Sequence, residues 1–500
     1  MKYILSAKEA SEADKNTSDT YHVSPSVLME RAALFTAETI CDRFPDRETK
    51  VVSCCGKGNN GGDGIAAARI LFENGYRHVK LFMPLGAEGL SGSEKDQLTT
   101  AKAYGIDISA NIDCLSQADI IIDALFGTGL SRAPEGAAAD AIAAINASKA
   151  FTVSVDIPSG VDATGGEVMG KAVRADLTTT YSFLKRGHVL YPGREYCGEV
   201  LCRNIGITEN SFSGHTPECF CLEEGDIQRL LPVRKRDSHK GTYGRVLVAA
   251  GSPGMAGASL FAARAAFLAG AGLVDLLTAE ENRVIVQESL SEAILHTYSG
   301  KCPDSLIKDC CDRADCIVIG PGLSTEKNAI SLFQAVFETA SVPMVIDADG
   351  LNILSMNMSL LQRPHTSLVL TPHPGELSRL LSEPYDLIRP RIFSACGDFS
   401  RANQVTLVAK GASTLIFEPF RETCINTTGD DSLSTAGSGD ILAGLTGGLI
   451  AAGMKTPDAA RTAVYLHGKA GEAAGQKRGR RSCMAGDILS ALPETFQKYE

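Results

Sequence analysis

Short apolar runs rich in β-formers alternate with longer helical stretches along most of this 500-residue chain. That alternation narrows the available folds more than any other feature, because parallel strands need crossover helices and those helices cover both faces of the sheet. An α/β protein is therefore expected. In the first half, strands are placed at Lys50 to Cys55, His78 to Met83, Asp119 to Asp123 and Phe151 to Asp156, with helices such as Ile65 to Glu73 and Gly136 to Asn146 between them. After Asn204-Ile205-Gly206-Ile207 the periodicity stops, and Ser211 to Pro217 is rich in Ser, Gly and His. A second series then begins with a strand at Arg245 to Ala250 and a helix at Gly257 to Ala269. Strands follow at Leu273 to Leu277, Cys316 to Ile319, Met344 to Asp347, Leu368 to Leu370, Val405 to Ala409 and Thr414 to Phe417. One hydrophobic core rarely serves a chain of this length, so two domains are expected, 1–214 and 215–500. The halves share no repeated motif. Glu280 to Cys311 has no assigned element and is a candidate interface or lid.

A formal net charge of -11 argues against nucleic acid as a general partner. The basic clusters Arg234-Lys235-Arg236 and Lys477-Arg478-Gly479-Arg480-Arg481 are too short to reverse that balance. Fifteen cysteines show neither a disulfide framework nor paired zinc spacing, which reads as reduced thiols in a cytoplasm. The start Met1-Lys2-Tyr3-Ile4-Leu5 runs at once into polar residues and has no signal-peptide core. The most apolar windows contain Arg264, Asp275 and Asp440, so no membrane span is expected.

Thr435-Ala436-Gly437-Ser438-Gly439-Asp440 leads into a helix and reads as an anion cradle with a carboxylate at its mouth. The glycines let successive N–H groups converge, and the helix start adds the positive end of its dipole. Asp440 is either an N-cap or the base that takes a proton from a hydroxyl attacking a phosphoryl group.

In the first half, Gly56-Lys57-Gly58-Asn59-Asn60-Gly61-Gly62-Asp63-Gly64 follows a strand, at the crevice where open α/β sheets bind ligands. It is neither a Walker A sequence nor a dinucleotide fingerprint in its usual register. Two further strand ends carry Asp123, before Phe126-Gly127-Thr128-Gly129-Leu130, and Asp156, before Ile157-Pro158-Ser159-Gly160. Oxygen donors from Asn60, Asp123 and Ser159, with no sulfur or imidazole, suit a hard cation.

These runs, G-x-G-N-N-G-G-D-G, D-A-L-F-G-T-G and V-D-I-P-S-G, resemble the NAD(P)H-hydrate epimerases. The resemblance implies a Rossmann-like three-layer α/β/α sandwich. Asn59, Asn60, Gly61, Gly62, Asp63, Gly127, Thr128, Gly129, Leu130, Ser131, Arg132, Ala133 and Asp156 would then contact the hydrated nicotinamide nucleotide. Asn60, Asp123 and Ser159 would hold potassium, and Lys185 is a further candidate at the site. The implied reaction interconverts R and S configurations at C6 of the hydrated ring. Asp156 is the chosen acid/base carboxylate, with Asp123 close to equivalent on sequence grounds.

In the second half, Gly251-Ser252-Pro253-Gly254, Gly320-Pro321-Gly322-Leu323, Asp347-Ala348-Asp349-Gly350, Thr371-Pro372-His373-Pro374-Gly375-Glu376 and Lys410-Gly411-Ala412-Ser413-Thr414 each end an expected strand. With the Gly437-Ser438-Gly439-Asp440 cradle they resemble the ADP-dependent NAD(P)H-hydrate dehydratases, which are ribokinase-like α/β domains. That likeness places Ala258, Gly322, His373 and Asp440 on the hydrated cofactor, and Lys410, Gly411, Ala412, Ser413, Thr414 and Gly439 on ADP. Asp440 becomes the catalytic base, ADP the co-substrate, and magnesium bridges its phosphates. His373, between two prolines, also reads as a rigid turn residue, and Lys410 as a surface lysine after a strand.

Two departures from the family run stand out: Asp430-Asp431 upstream of the cradle, and Ser324 in place of a frequent glycine. The combined reading is a bifunctional repair enzyme whose partners are small molecules and, by family likeness, a second copy of itself. The alternative is a ribokinase-like kinase for a small alcohol or vitamin precursor, with a noncatalytic N-terminal binding module.

Overall fold

The structure is a computed structural model that describes residues 1–90 and 92–500. The chain divides into two compact units, Lys2–Cys219 and Phe220–Glu500, with Met1 grouped in the second. All fifteen cysteines are free, and among the described residues no helix is long and apolar enough to cross a membrane.

The first unit contains β1 (Lys2–Leu5), α1 (Ala7–Asp19), α2 (Pro25–Arg43), β2 (Lys50–Cys55), α3 (Asn59–Glu73), β3 (His78–Phe82), α4 (Gly92–Ala103), β4 (Asp107–Ser109), β5 (Ile120–Ala124), α5 (Gly136–Ala147), β6 (Phe151–Val155), β7 (Leu177–Tyr181), β8 (Leu184–Lys185) and β9 (Glu199–Arg203). Its main sheet is parallel throughout, in the order β4-β3-β2-β5-β6-β7-β9. Side chains alternate across it as the pleat demands. Val51, Cys55, Ile120 and Ile122 join a core with helices α2, α3 and α4. Val52, Cys54 and Ile121 join a second core with Ala141, Ile142 and Ile145 of α5 on the other face. This is the expected three-layer sandwich. The strand order reverses between β2 and β5, and such a switch point opens a crevice at the carboxyl ends of the strands.

The helix after β2 starts earlier than its composition suggests. Glycine is about 1 kcal/mol worse than alanine inside a helix, yet Gly61, Gly62 and Gly64 all lie within α3. Packing explains them: a Cβ at Gly61 would overlap the Gly56 carbonyl, and one at Gly64 would overlap the Ala124 Cβ. Only glycine lets this helix sit so close to β2 and β5.

The boundary between the units falls within β10 (Cys219–Cys221), and the second unit goes on with α6 (Glu224–Leu230), β11 (Arg245–Ala249), α7 (Ala256–Leu268), β12 (Leu273–Ala279), α8 (Arg283–Ser289), β13 (Ile294–Tyr298), α9 (Asp304–Arg313), β14 (Cys316–Ile319), α10 (Lys327–Thr339), β15 (Met344–Ile346) and α11 (Asp349–Met356). It continues with β16 (Leu368–Leu370), α12 (Pro374–Leu381), α13 (Tyr385–Ile388), α14 (Ile392–Asn403), β17 (Thr406–Ala409), β18 (Leu415–Phe417), β19 (Thr423–Ile425), α15 (Ser438–Ala451), α16 (Thr456–Arg478) and α17 (Ala485–Gln497). The strands run β13-β12-β11-β14-β15-β16-β17-β18-β19, parallel up to β17 and antiparallel beyond it. Again the order reverses, between β11 and β14. The segment from Glu280 to Cys311, unassigned in sequence, supplies α8, the edge strand β13 and most of α9. It is part of the sheet layer, and β13 escapes detection because half-buried edge residues carry a weak apolar signal.

Candidate active sites

A cavity of about 420 Å³ opens at the switch point of the first unit. Lys57 and Gly58 after β2, Leu125 to Leu130 after β5, Asp156 after β6 and Lys185 of β8 line it, with Asn59, Asn60 and Asp63 from the first turns of α3. Of the residues expected from sequence, Asn59, Asn60, Asp63, Gly127, Thr128, Gly129, Leu130 and Asp156 are thus brought to the lining of one cavity. Gly61 and Gly62 are buried in α3 and act through their lack of a side chain, while Ser131, Arg132 and Ala133 are exposed and lie off the cavity wall.

Geometry separates the two carboxylates that sequence left nearly equivalent. Asp123 is fully buried. Its Oδ2 accepts from Ser154 Oγ at 2.8 Å and from the Ser159 amide at 2.9 Å, and its Oδ1 accepts from Ser159 Oγ at 2.6 Å. Burial raises its pKa, and these hydrogen bonds hold it back. Asp156 instead reaches the cavity from a left-handed backbone, φ 66°. Lys185 Nζ lies 2.5 Å from its Oδ1, and Thr180 Oγ1 donates to the same oxygen at 3.3 Å. Burial alone would raise its pKa, but the Lys185 ammonium overrides burial and holds Asp156 ionised. Asp63 has the opposite fate: burial, then the charges of Asp156 and Asp14, push its pKa well up. Asn60 adds a further feature, since its Oδ1 and Nδ2 are both buried with no hydrogen-bond partner. A Cβ on Gly127 would sit 3.0 Å from that Oδ1, so the second glycine loop presses directly on it.

The second site gathers at the carboxyl ends of β11, β14, β15, β16 and β17. The backbone at Gly320 and Gly322 takes φ values of 119° and 58°, a turn that needs glycine. A Cβ on Gly322 would lie 2.9 Å from the Ala258 Cβ, so the two expected cofactor-contacting residues are neighbours. Ser324 follows with φ 69°, the conformation for which glycine is the usual residue, and its amide donates to Asp349 Oδ2 at 2.8 Å.

Lys410 is not a surface lysine. Its Nζ donates to Asp347 Oδ1 at 2.8 Å and lies 4.0 Å from Glu376 Oε2. Burial lowers its pKa, but Asp347, Glu376 and Asp440 together raise it above the ordinary lysine value. A Cβ on Gly439 would meet that ammonium at 3.3 Å, which puts the glycine of the cradle beside it. The cradle helix α15 begins at Ser438 with Gly437 as its N-cap, φ 91°. Asp440 is therefore not the cap. Burial first, then the charge of Asp347, pushes its pKa up to about 7. His373 does play the structural part open to it: its Nδ1 caps α12 by accepting from the Gly375 amide at 3.0 Å. Its Nε2 lies 3.2 Å from Glu376 Oε1, which brings it to the edge of the same cluster. The loop from Gly411 to Thr414 closes on itself, with Thr414 Oγ1 donating to the Gly411 carbonyl at 3.2 Å.

Two family models match the chain: one described as YjeF-related protein N-terminus over residues 25–187, the other as NAD(P)H-hydrate dehydratase over residues 246–494. The bifunctional NAD(P)H-hydrate repair enzyme Nnr of Moorella thermoacetica is 36% identical over 518 residues, covering 100% of this chain and 97% of that protein. Its counterpart from Coxiella burnetii is 37% identical and covers 94% of each. The chain belongs to the bifunctional NAD(P)H-hydrate repair enzymes. Among solved structures, an ADP/ATP-dependent NAD(P)H-hydrate dehydratase from Bacillus subtilis, crystallised with ATP and Mg²⁺, is 30% identical with a TM-score of 0.50, over 56% of this chain and 98% of its own. A ribokinase-like superfamily protein from Enterococcus faecalis is 26% identical with the same TM-score of 0.50, over 57% and 98%.

Sequence reasoning missed several members of this repair enzyme's sites. Asp347 and Glu376 lie inside quoted motifs, but nothing local shows that they share one ammonium. Asp14, on α1, lines the first cavity and is more than forty residues from the nearest motif there. No signal short of the fold could have found it. The Asp430-Asp431 departure also acquires a partner: Arg480 Nε lies 3.3 Å from Asp430, and its Nη1 lies 3.4 Å from Asp431. The two short charge clusters noted separately in sequence are one ion-paired group.

Proposed function

We propose that the first unit interconverts the R and S forms of hydrated NADH and NADPH at C6, and that the second dehydrates the S form with ADP, giving AMP and phosphate. The domain roles follow 1–214 and 215–500. The observation that carries the proposal is a tuned carboxylate at each switch point: Asp156 held ionised on the cavity wall, and Asp440 poised near neutrality beside Lys410.

In the second site, Asp440 takes the proton of the C6 hydroxyl, whose oxygen attacks the terminal phosphorus of ADP and displaces AMP. The electron pair on the ring nitrogen then expels phosphate, and loss of a proton from C5 restores the dihydronicotinamide. Gly439 and the amides at the start of α15 receive the phosphoryl group, with Lys410 as a fixed positive charge, and Gly411 to Thr414 form the wall for the nucleotide. Ala258, Gly322 and His373 contact the hydrated cofactor. Magnesium would be held by the nucleotide phosphates, whose charge it would offset.

At the first site, Asn60, Asp123 and Ser159 would hold potassium. The orphaned Asn60 amide and the fully buried Asp123, which has no cationic partner among the described residues, fit such an ion. It would offset buried charge beside the substrate. The enzyme is read as cytoplasmic and homo-oligomeric, with small molecules as its partners. A kinase for a small alcohol has less support, since it gives the first cavity no task.

The test supplies mixed hydrated NADH isomers with ADP and magnesium and follows the absorbance of restored NADH. Complete recovery is expected. Recovery that halts at the S fraction removes the epimerase, and none with ADP or ATP removes the dehydratase. Asp440→Asn should abolish recovery and keep isomer exchange; Asp156→Asn should do the reverse.

A further inference from the structure

Resting on the epimerase reading, we infer that Asp63 is the proton donor that works with Asp156 in the first cavity. Both side chains line that cavity, Asp63 from the fifth residue of α3 and Asp156 from the end of β6. They are held in opposite ways. Asp156 has Lys185 Nζ at 2.5 Å, and the same ammonium is anchored by Thr180 Oγ1 at 2.8 Å. Asp63 is half-buried, and among the described residues its side chain has neither a hydrogen bond nor an ion pair.

The charges around Asp63 come from three other elements and the strand end. Asp14 projects from α1, Asp156 follows β6, Lys185 lies on β8, and Tyr181 on β7 has its hydroxyl 3.0 Å from Thr36 Oγ1. One ammonium among three carboxylates neutralises one of them, and the geometry commits it to Asp156. Burial and the two neighbouring carboxylates thus push Asp63 toward its protonated form, opposite a base that Lys185 holds ionised.

The substrate needs both. C6 of the hydrated ring carries a hydroxyl and is bonded to the ring nitrogen, so its configuration is lost when the N1–C6 bond opens. Asp156 removes the hydroxyl proton, the freed pair forms C6=O, and the N1–C6 pair moves to N1, which takes the proton of Asp63. Rotation about C5–C6 presents the other carbonyl face. N1 then adds back and returns its proton to Asp63, while the oxygen regains its own from Asp156. Nothing is oxidised or reduced, and both carboxyls end as they began.

The experiment uses the full chain without ADP, so that only exchange between the isomers, above its spontaneous rate, is read. The parent should give a bell-shaped kcat profile whose alkaline limb reports Asp63. Asp63→Asn should lower kcat by about 100-fold or more, as loss of a positioned acid does, with KM within about threefold and the alkaline limb gone. Asp63→Glu should restore part of kcat together with that limb, which a merely structural role would not do. A kcat for Asp63→Asn within about threefold of the parent overturns the assignment, as does an alkaline limb that disappears in Asp14→Asn but survives in Asp63→Asn. Should Asp63→Asn not fold, Asp63→Glu decides, because an unshifted limb in that variant overturns the inference. No exchange in the parent brings down the epimerase reading and this assignment together, an outcome distinct from equal exchange in parent and variant.

Discussion

At the scale of single residues, both sites use burial to move a carboxylate and a fixed ammonium to decide which one moves. Asp440 and Glu376, each pushed up to about 7 chiefly by burial, share the field of Lys410 and Asp347 and titrate as a cluster. A base works only when ionised, so dehydratase kcat/KM should rise with pH through about 7 and level off above it. A profile measured with saturating ADP checks this, and a flat profile between pH 6 and 8 would remove Asp440 as base. The stability of the ligand-free enzyme has the opposite sign. A folded pKa raised above the unfolded value of about 4 favours the fold at low pH; that contribution is lost as pH rises through about 7. Backbone strain marks the same places. Asp156 and Ala348 take φ values of 66° and 49° directly after β6 and beside Asp347, a conformation that costs non-glycine residues roughly 1–3 kcal/mol and persists where the surroundings impose it.

Among the elements, α3 and α15 share a design, with glycines at the helix start where it meets a strand-end crevice. Gly64→Ala tests it. Alanine gains about 1 kcal/mol of helix propensity, but its Cβ overlaps the Ala124 Cβ and approaches Ser53 Oγ at 3.1 Å. Overpacking costs about 1–3 kcal/mol, so the balance is destabilising. The thermal inactivation midpoint of isomer exchange should fall, and the dehydratase midpoint should stay. The turn after α16 carries a second prediction. Arg480→Ala leaves Asp430 and Asp431 without their cation near the proposed phosphate site, and since exposed pairs are worth about 0.2–1 kcal/mol, KM for ADP should rise by about 1.4- to fivefold. Steady-state kinetics at low salt would show it most clearly.

For the whole molecule, the decisive point is that each site is complete within one unit: every residue assigned to epimerisation lies between Lys2 and Cys219, and every residue assigned to dehydration lies beyond Phe220. An equimolar mixture of Asp156→Asn and Asp440→Asn should therefore restore complete recovery from mixed isomers, with intermediates crossing through solution. Recovery that stops at the S fraction in the mixture, but not in the parent, would mean that transfer requires both sites in one chain. The α/β class, the restart of the strand series and the motif runs were legible in the chain alone, because hydrophobic periodicity and glycine spacing are local and survive without coordinates. The same runs named Asp156 and Asp440. Which carboxylate meets the cavity, that Lys410 pairs with Asp347, and that Arg480 answers Asp430 and Asp431 emerged only with the packed fold. Those outcomes depend on distance between segments and on burial, and both exist only once strands distant in sequence lie side by side.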